Sequence, residues 1–534
     1  MAQPVASPGP RDTQDQPTAP ADRRWLVLAV VAVAQLMVVL DSTIVNIALP
    51  SAQHALGFAN SDRQWVVTAY ALAFGSLLLV GGRLGDMYSR RWVLITGLIG
   101  FAVASAIGGA AVSFVMLVVA RALQGAFGAI LAPAALGTLV STFQDPNERR
   151  RAFAVFGSVA VGGGAVGLIL GGVLTQYLSW RYTLFVNLIF AAIAVAGALA
   201  YIRSSRPANP PRMDWPGAVL ACAGLFLIVF GFSHAETAGW TATLTLGSLV
   251  LGAVLLTAFV VAEQRSSHPL LPLRVILDRT RGASYAAVGI TGIALFGIFL
   301  FLTFYLQQVK GYSPLTTGLL FLPLTAGILV ASTLYSALPP VGPRPMITAG
   351  MLLGAGGTAY LAQLTVTSSY LAGVLPALII LGLGLGLIFA SAVNSATAGV
   401  PIQDSGVASA LVNTMQQVGG SIGISVLSTI AASATTSYLI AHHTGPQAPA
   451  IAATHGYTLT FAISAALLGL GAILAILMLP SQKPEPEPEA PAPAVPPQRQ
   501  VAPELNPAVK VMPVGLLCCS PVIDGGGGTL DELS

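Results

Sequence analysis

From Trp25 to Pro480 the chain is a succession of long apolar runs, broken by short stretches rich in glycine, proline and arginine. Each run is close to the ~20 residues that a helix needs to cross the hydrocarbon core of a bilayer. The pattern predicts fourteen spans. Six lie near 25–49, 64–82, 92–112, 114–140, 152–177 and 181–202. Two follow near 215–233 and 242–262, and six more near 283–307, 315–337, 346–364, 370–399, 405–432 and 457–479. The seventh and eighth are the weakest as full crossings, because such a pair can also be re-entrant. Removing both leaves the two chain ends on one side.

The expected architecture is an all-α integral membrane protein organised as 6 + 2 + 6. An N-terminal six-helix bundle (25–203) is followed by two additional helices (204–281) and a C-terminal six-helix bundle (282–480). No residue-level repeat relates the two halves. Residues 1–24 and 481–534 flank them, the latter opening SQKPEPEPEAPAPAVPP; both are polar and proline-rich and are expected as disordered cytoplasmic tails. Met1–Asp22 has no apolar core of the kind a signal peptide requires.

Composition agrees with this class. The 534 residues are 55% hydrophobic and only 8% charged, against about 25% charged in ordinary globular proteins. A net charge of +4 would hint at nucleic acid in a soluble chain, but here the arginines sit in short connections. Of the 24 Lys and Arg, Arg63, Arg181 and Lys310 fall on one side and Arg121 falls within a span. All the others lie on the side of the chain ends, which the positive-inside rule makes cytoplasmic. The cysteines, Cys222 and the adjacent Cys518 and Cys519, form no disulfide framework or metal spacing. The excess of Arg over Lys, with abundant Ala and Gly, points to a GC-rich bacterial genome and so to a bacterial inner (plasma) membrane.

Two charges lie deep in the predicted spans, Asp41 and Arg121. An unpaired carboxylate there costs roughly 2.5–3.5 kcal/mol on insertion scales. Depth counting places both in the outer half, on oppositely running helices, which makes them natural partners. They form either a structural ion pair or a proton or substrate site. A polar set that could line a cavity comprises Thr43, Asn46, Tyr70, Asn187, Gln308, Asn394, Asn413 and Gln416; each could equally bond a neighbouring helix.

Several segments carry a family resemblance. LDSTIVNIALP in the first span resembles the first-helix signature of the major facilitator superfamily's drug:proton antiporters with fourteen transmembrane helices. GGRLGDMYSRRWVL, with Gly82, Asp86, Arg90 and Arg91, resembles the loop signature between helices two and three, which acts as a cytoplasmic gate. RALQGAFGAI resembles the fourth-helix signature at Arg121, Gln124, Gly125 and Gly128, four positions that share one helix face. WRYTLFVNL, YLQQVKGYSPLTTGLLFLP and ASALVNTMQQVGGSIG are also similar to this branch, so the resemblance covers about residues 25–480. It departs from the family pattern at Met87, where a basic residue is usual, and at Ser89, where glycine is usual. In the fifth helix Leu168 stands at the usual proline. Gly157, Gly164 and Gly171 still recur every seven residues there, and with Gly167 and Gly172 they are candidates for close helix packing.

Other motifs are excluded by context. Gly162, Gly164 and Gly167 fit a dinucleotide-binding expression, and a glycine-rich run starts at Gly382, but neither follows a strand. No Walker lysine motif is present. His442, His443 and His455 flank the expected outer loop before the last span and have no carboxylate or cysteine partners in sequence. No metal or cofactor is expected. The resemblance implies efflux of amphipathic or cationic small molecules, driven by proton entry, with Asp41 and Arg121 as the proton-coupling pair. The partners expected are a small-molecule substrate, protons and the lipid bilayer, with no nucleic acid, and a single chain is expected to suffice. The alternatives are a proton symporter or uniporter importing a solute, or a polytopic membrane enzyme or sensor.

Overall fold

The computed structural model describes residues 21–60, 62–204, 213–266, 269–271, 273–337, 342–398, 400, 405–442 and 445–480. Among these, every regular element is helical. In the first half run α1 (Ala21–Leu56), α2 (Gln64–Met87), α3 (Arg90–Gly109), α4 (Phe114–Thr142), α5 (Pro146–Tyr177) and α6 (Tyr182–Tyr201). A hairpin of α7 (Trp215–Ala238) and α8 (Thr243–Arg265) follows, and then the short α9 (Leu273–Leu277). The second half holds α10 (Arg279–Phe304), α11 (Pro314–Leu320), α12 (Leu322–Ala337), α13 (Pro343–Leu361), α14 (Leu375–Thr397), α15 (Ser405–Ala441) and α16 (Ala448–Met478). A π-helical turn, Tyr305–Val309, extends α10, and another, Tyr370–Val374, precedes α14.

The chain is a multi-pass membrane protein. Thirteen segments among the described residues are long and apolar enough to cross a bilayer. The expected eleventh span is α13, a helix of 19 residues that falls outside that set. Arg344, two prolines and four glycines dilute its apolar content, and it packs against α14 and α16. Helices α7 and α8, with 24 and 23 residues, are full-length rather than re-entrant. Both α15 and α16 are longer than their apolar runs predict, so His455 lies inside α16 and not beside a loop. The ring of Tyr438 stacks between His442 and His455, at 4.3 and 5.0 Å between centroids. His443 and the tails, 1–20 and 481–534, lie outside the described residues.

Helix starts are set locally. Asp145, Asp214, Asp278 and Ser313 each accept a hydrogen bond from a backbone N–H of the first turn, and Pro146, Pro216 and Pro314 occupy first-turn positions that need no N–H. Gly57 and Gly239 end α1 and α7 at positive φ, 67° and 86°, which a side chain would resist.

Arginines tie helix ends together and reveal which ends share a face. On the face that carries the start of α1, Arg23 reaches the carbonyls of Ala200 and Tyr201, Arg91 that of Leu199, and Arg90 that of Gly137. Arg279 likewise donates to Leu477 O at the end of α16. We call this the terminal face. On the opposite, far face, Arg181 donates to Gly109 O at 2.9 Å and to Ala111 O, and Lys310 to Val366 O at 2.7 Å. Lone carbonyls at the C-termini of α3, α6 and α16 are thus capped by arginines, which also suit the negative end of the helix dipole, while Gly137 O lies within α4 and Ala111 O and Val366 O lie in connections.

Glycines allow the closest approaches. A Cβ on Gly81 of α2 would fall on the Ala129 carbonyl of α4, and one on Gly125 of α4 would fall on Tyr70 O of α2. Between α5 and α1, a Cβ on Gly167 would fall on Thr43 and one on Gly171 would come within 2.9 Å of Ile44. Gly157, expected to belong to this seam, does not: nothing lies within 4 Å of its would-be Cβ, because the contact with α1 begins only at Gly163. Gly164 makes only ordinary contact with Thr43, and Gly82 with Pro133. Gly81→Ala should therefore cost about 1–3 kcal/mol through overpacking against backbone, whereas Gly157→Ala should be neutral or slightly stabilising. Thermal unfolding of both variants in detergent checks this; equal melting temperatures would contradict the seam described.

Candidate functional site

At the centre of the first bundle, four helices bring buried polar side chains together. Asp41 of α1 is fully buried and Arg121 of α4 is 1% exposed. Arg121 Nη1 donates to Asp41 Oδ2 at 2.6 Å and to Gln124 Oε1 at 2.8 Å. The second carboxylate oxygen, Oδ1, accepts from Gln124 Nε2 at 3.0 Å and from Asn187 Nδ2 of α6 at 2.8 Å. Ser105 of α3 accepts from both of those amides, at 2.6 and 3.3 Å. Arg121 Nε donates to Val66 O of α2 at 3.2 Å, and the guanidinium carbon sits 4.3 Å from the Tyr70 ring centroid.

The fourth-helix pattern explains why this arrangement forms. Residues Arg121, Gln124, Gly125 and Gly128 lie on one face. The two glycines let α2 approach, Gly125 against Tyr70 and Phe74 and Gly128 against Phe74, so α2 covers the cation with an aromatic face. A buried pair of charges is tolerable only when the remaining donors and acceptors are satisfied. Here three donors meet the carboxylate and two acceptors besides it meet the guanidinium. Two polar atoms of the cluster stay unfilled by protein, Asn187 Oδ1 and Tyr70 Oη. A narrow apolar crevice bounded by Val45, Leu49, Val66, Leu117 and Leu184 ends on Arg121.

The wider polar set does not converge on one place. Thr43 and Asn46 bond backbone carbonyls of α1 itself. Gln308 is exposed at the far end of α10. Its neighbour Gln307 instead donates to Ile47 O of α1 at 3.0 Å, because the π-helical turn there inserts an extra residue and rotates the face. Asn394 and Asn413 are exposed near the terminal-face ends of α14 and α15, Asn394 donating to Tyr335 Oη at 3.4 Å. Gln416 is half-buried, and its backbone carbonyl closes on Gly292. Arg90 and Arg91 hold helix ends, as described; the side chain of Asp86 lies outside the described residues. Ser105 was invisible in the sequence, one hydroxyl in a helix of small residues. Among the described residues no group of three or more His, Cys, Asp or Glu is arranged to hold a metal.

The ion pair predicts strong non-additivity. Removing one partner of a buried pair costs about 3–5 kcal/mol, since the other charge is stranded. Arg121→Ala should lose that much stability in detergent, whereas Arg121→Ala combined with Asp41→Asn should lose clearly less than the sum of the two single variants. Additive losses would show that the pair is not coupled in the folded protein.

Known proteins share this architecture. The chain is 47% identical over 467 residues to the puromycin resistance protein pur8 of Streptomyces alboniger, covering 87% of this chain and 93% of that protein. It is 40% identical to the cephamycin export protein CmcT of Amycolatopsis lactamdurans, covering 77% and 85% respectively. Among solved structures, the inward-facing, unoccupied bacterial homologue of the human lysosomal transporter Spinster superposes with a TM-score of 0.60 at 16% identity, covering 86% of this chain and 98% of that one. An auto-inhibited POT family peptide transporter gives 0.62 at 18% identity, covering 86% and 96%. Residues 31–424 match the family model for the Major Facilitator Superfamily, and to that superfamily the chain belongs.

Proposed function

We propose that the protein exports amphipathic or cationic small molecules, antibiotics among them, in exchange for protons entering the cell. The observation that carries the proton part is the water-excluded Asp41 carboxylate, held by Arg121, Gln124 and Asn187. Export as the direction rests on the relatives, whose names record antibiotic export or resistance. The terminal face is read as cytoplasmic from its arginines, and the two six-helix halves, 25–203 and 282–480, are read as the bodies that rock.

The described conformation favours access from the terminal face. On the far face the halves touch: Gln307 binds α1, Leu315 N donates to Gln176 Oε1, and Gly172 packs so close to the backbone of Leu315 that a Cβ there would clash. Towards the terminal face, Asn394 and Asn413 are exposed. Substrate enters there, and rocking the halves would open the far face.

Protonation is the coupling step in this reading. Arg121 donates to the Asp41 carboxylate while the cluster is intact. A proton on Asp41 removes the attraction to Arg121 and frees that cation to change partners, which biases the two-state packing of the halves. One charge crossing 100 mV supplies about 2.3 kcal/mol, comparable to the energy of such a rearrangement. The reaction needs no covalent step. A second element is the gate at Gly82, Asp86, Arg90 and Arg91, where we infer that Asp86 meets the N-terminus of α15 when the cytoplasmic side closes, an anion at a positive helix end.

Reconstituted transport under an imposed pH gradient tests the coupling. Asp41→Asn, which mimics the protonated acid, should still bind substrate yet lose gradient-driven efflux. Full gradient-driven efflux by this variant for every substrate tried would make the aspartate structural only. Accumulation of a fluorescent substrate in inverted vesicles tests the direction, since an importer would not load them. For the gate, Asp86→Asn should slow turnover while leaving substrate affinity within about twofold, the pattern of a lost conformational contact rather than a lost binding contact.

A further inference from the structure

On the far face, Arg63, the residue immediately before α2, is buried at 6% exposure. Its partners belong to the other half of the molecule. The guanidinium carbon lies 4.1 Å from the ring centroid of Phe304, 5.6 Å from that of Tyr457 and 5.8 Å from that of Phe301. Nη1 donates to Tyr457 Oη at 3.4 Å, and Nε has no hydrogen-bond partner. Among the described residues no carboxylate stands within ion-pair distance of it. Phe301 and Phe304 are fully buried and Tyr457 nearly so. A cation from the first half is thus boxed by three rings of the second, on α10 and α16.

Such an arrangement is a poor way to make a static contact. The guanidinium gives up its hydration and receives no counter-charge, so an apolar side chain would serve packing alone better. Cation–π attraction, which reaches about 2 kcal/mol when desolvated, offsets much of that cost. The balance is near even, and separation of the halves returns the guanidinium to water. A contact that is formed only when the far face is closed, and that is nearly balanced by hydration when it opens, fits an element of a two-state equilibrium.

We propose that Arg63 in the Phe301–Phe304–Tyr457 cage is the latch of the far-face gate: a positioning residue that sets the ratio of far-closed to far-open states. It shares no contact with the Asp41–Arg121 pair and rests on the alternating-access reading given above. Its strength fixes how often the substrate site is presented to the terminal face.

The test is read without substrate, so a failure of the export assignment would not be confused with a failure of the latch. Ile47, fully buried where α1 accepts Gln307, is replaced by cysteine in full-length protein whose native Cys222, Cys518 and Cys519 are serine. The reporter's modification by a hydrophilic maleimide is timed in nanodiscs. Arg63→Ala and Phe304→Leu should each speed labelling about five- to thirtyfold, the range that corresponds to cation–π energies of about 1–2 kcal/mol. Arg63→Lys should fall between Arg63→Ala and the parent, because an ammonium keeps the cation–π attraction but not the planar stacking. In transport, Arg63→Ala should raise the apparent KM for terminal-face substrate, because the competent state is less populated. Labelling within about twofold of the parent in both Arg63→Ala and Phe304→Leu, each eluting as monodisperse protein, overturns the proposal. So does an Arg63→Lys variant that labels as fast as Arg63→Ala, since the cation in the cage would then be irrelevant.

Discussion

A charge deep inside an apolar bundle is costly unless it is paired and hydrogen-bonded. In this protein the constraint is met once, at Asp41 and Arg121, and the surrounding packing answers to it. The pair needs α1 and α4 at bonding distance, which Gln124, Asn187 and Ser105 complete from α4, α6 and α3. It also needs α2 laid closely over the guanidinium, which Gly81 and Gly125 permit by admitting backbone where any Cβ would clash. Five of the six helices in the first half are thereby fixed in register by one buried cluster. Its counterpart in the second half is built without buried charge: Gly292, Gly382, Gly384 and Gly419 bring helices into backbone contact, and hydroxyls bond within their own helices. The asymmetry puts the buried charges in one half, which is where the proposed proton coupling is assigned.

Much of the architecture was legible in the sequence because bilayer thickness imposes a strong pattern. Apolar runs of about 20 residues, and arginines confined to alternate connections, follow directly from insertion energetics. The arginines then proved to cap helix ends, a second reason for their placement. Asp41 and Arg121 were legible for the same reason, as charges where none belongs. What stayed hidden has low contrast. Ser105 is one hydroxyl among alanines and glycines. Gly81 is the tight contact between α2 and α4, yet nothing in the local pattern distinguishes it from Gly82. The substitution of Gln307 for Gln308 depends on a π-helical turn, which no period of 3.6 anticipates. Gly157 shows the converse error, where a seven-residue spacing implied a seam that starts only at Gly163. Helix α13 was legible as a helix, but its own composition keeps it outside the segments apolar enough to cross a bilayer.

The aromatic cage lay beyond sequence reasoning for a different reason. Arg63 reads as an ordinary loop cation, and Phe301, Phe304 and Tyr457 read as lipid-facing or core aromatics. Only the approach of the two halves makes them one feature. Contacts of this kind belong to a state rather than to a fold, so no single-helix pattern encodes them.

Covalent and helical continuity connects this cage to the charge pair. Arg63 lies one turn before Val66, whose carbonyl accepts from Arg121 Nε, and Tyr70, which covers the guanidinium, lies one turn further along the same helix. On α1, Asp41 is followed within two turns by Ile47, the acceptor of Gln307 from the other half. The far ends of α1 and α2 therefore each carry one contact to the proton site and one to the opposite half. A helix transmits displacement along its axis with little loss, since its hydrogen bonds are all internal. When Arg63 leaves its cage, the first turn of α2 moves, and Val66 and Tyr70 cannot both keep their positions over Arg121. In the proposed cycle, loosening Arg121 from α2 would weaken its hold on Asp41 as the far face opens, when a proton could arrive from that side. In the same proposal the linkage would run backwards: a proton on Asp41 would release Arg121, relax α2 and let Arg63 return. Gate and proton site need no separate signal between them, because they are the two ends of the same pair of helices.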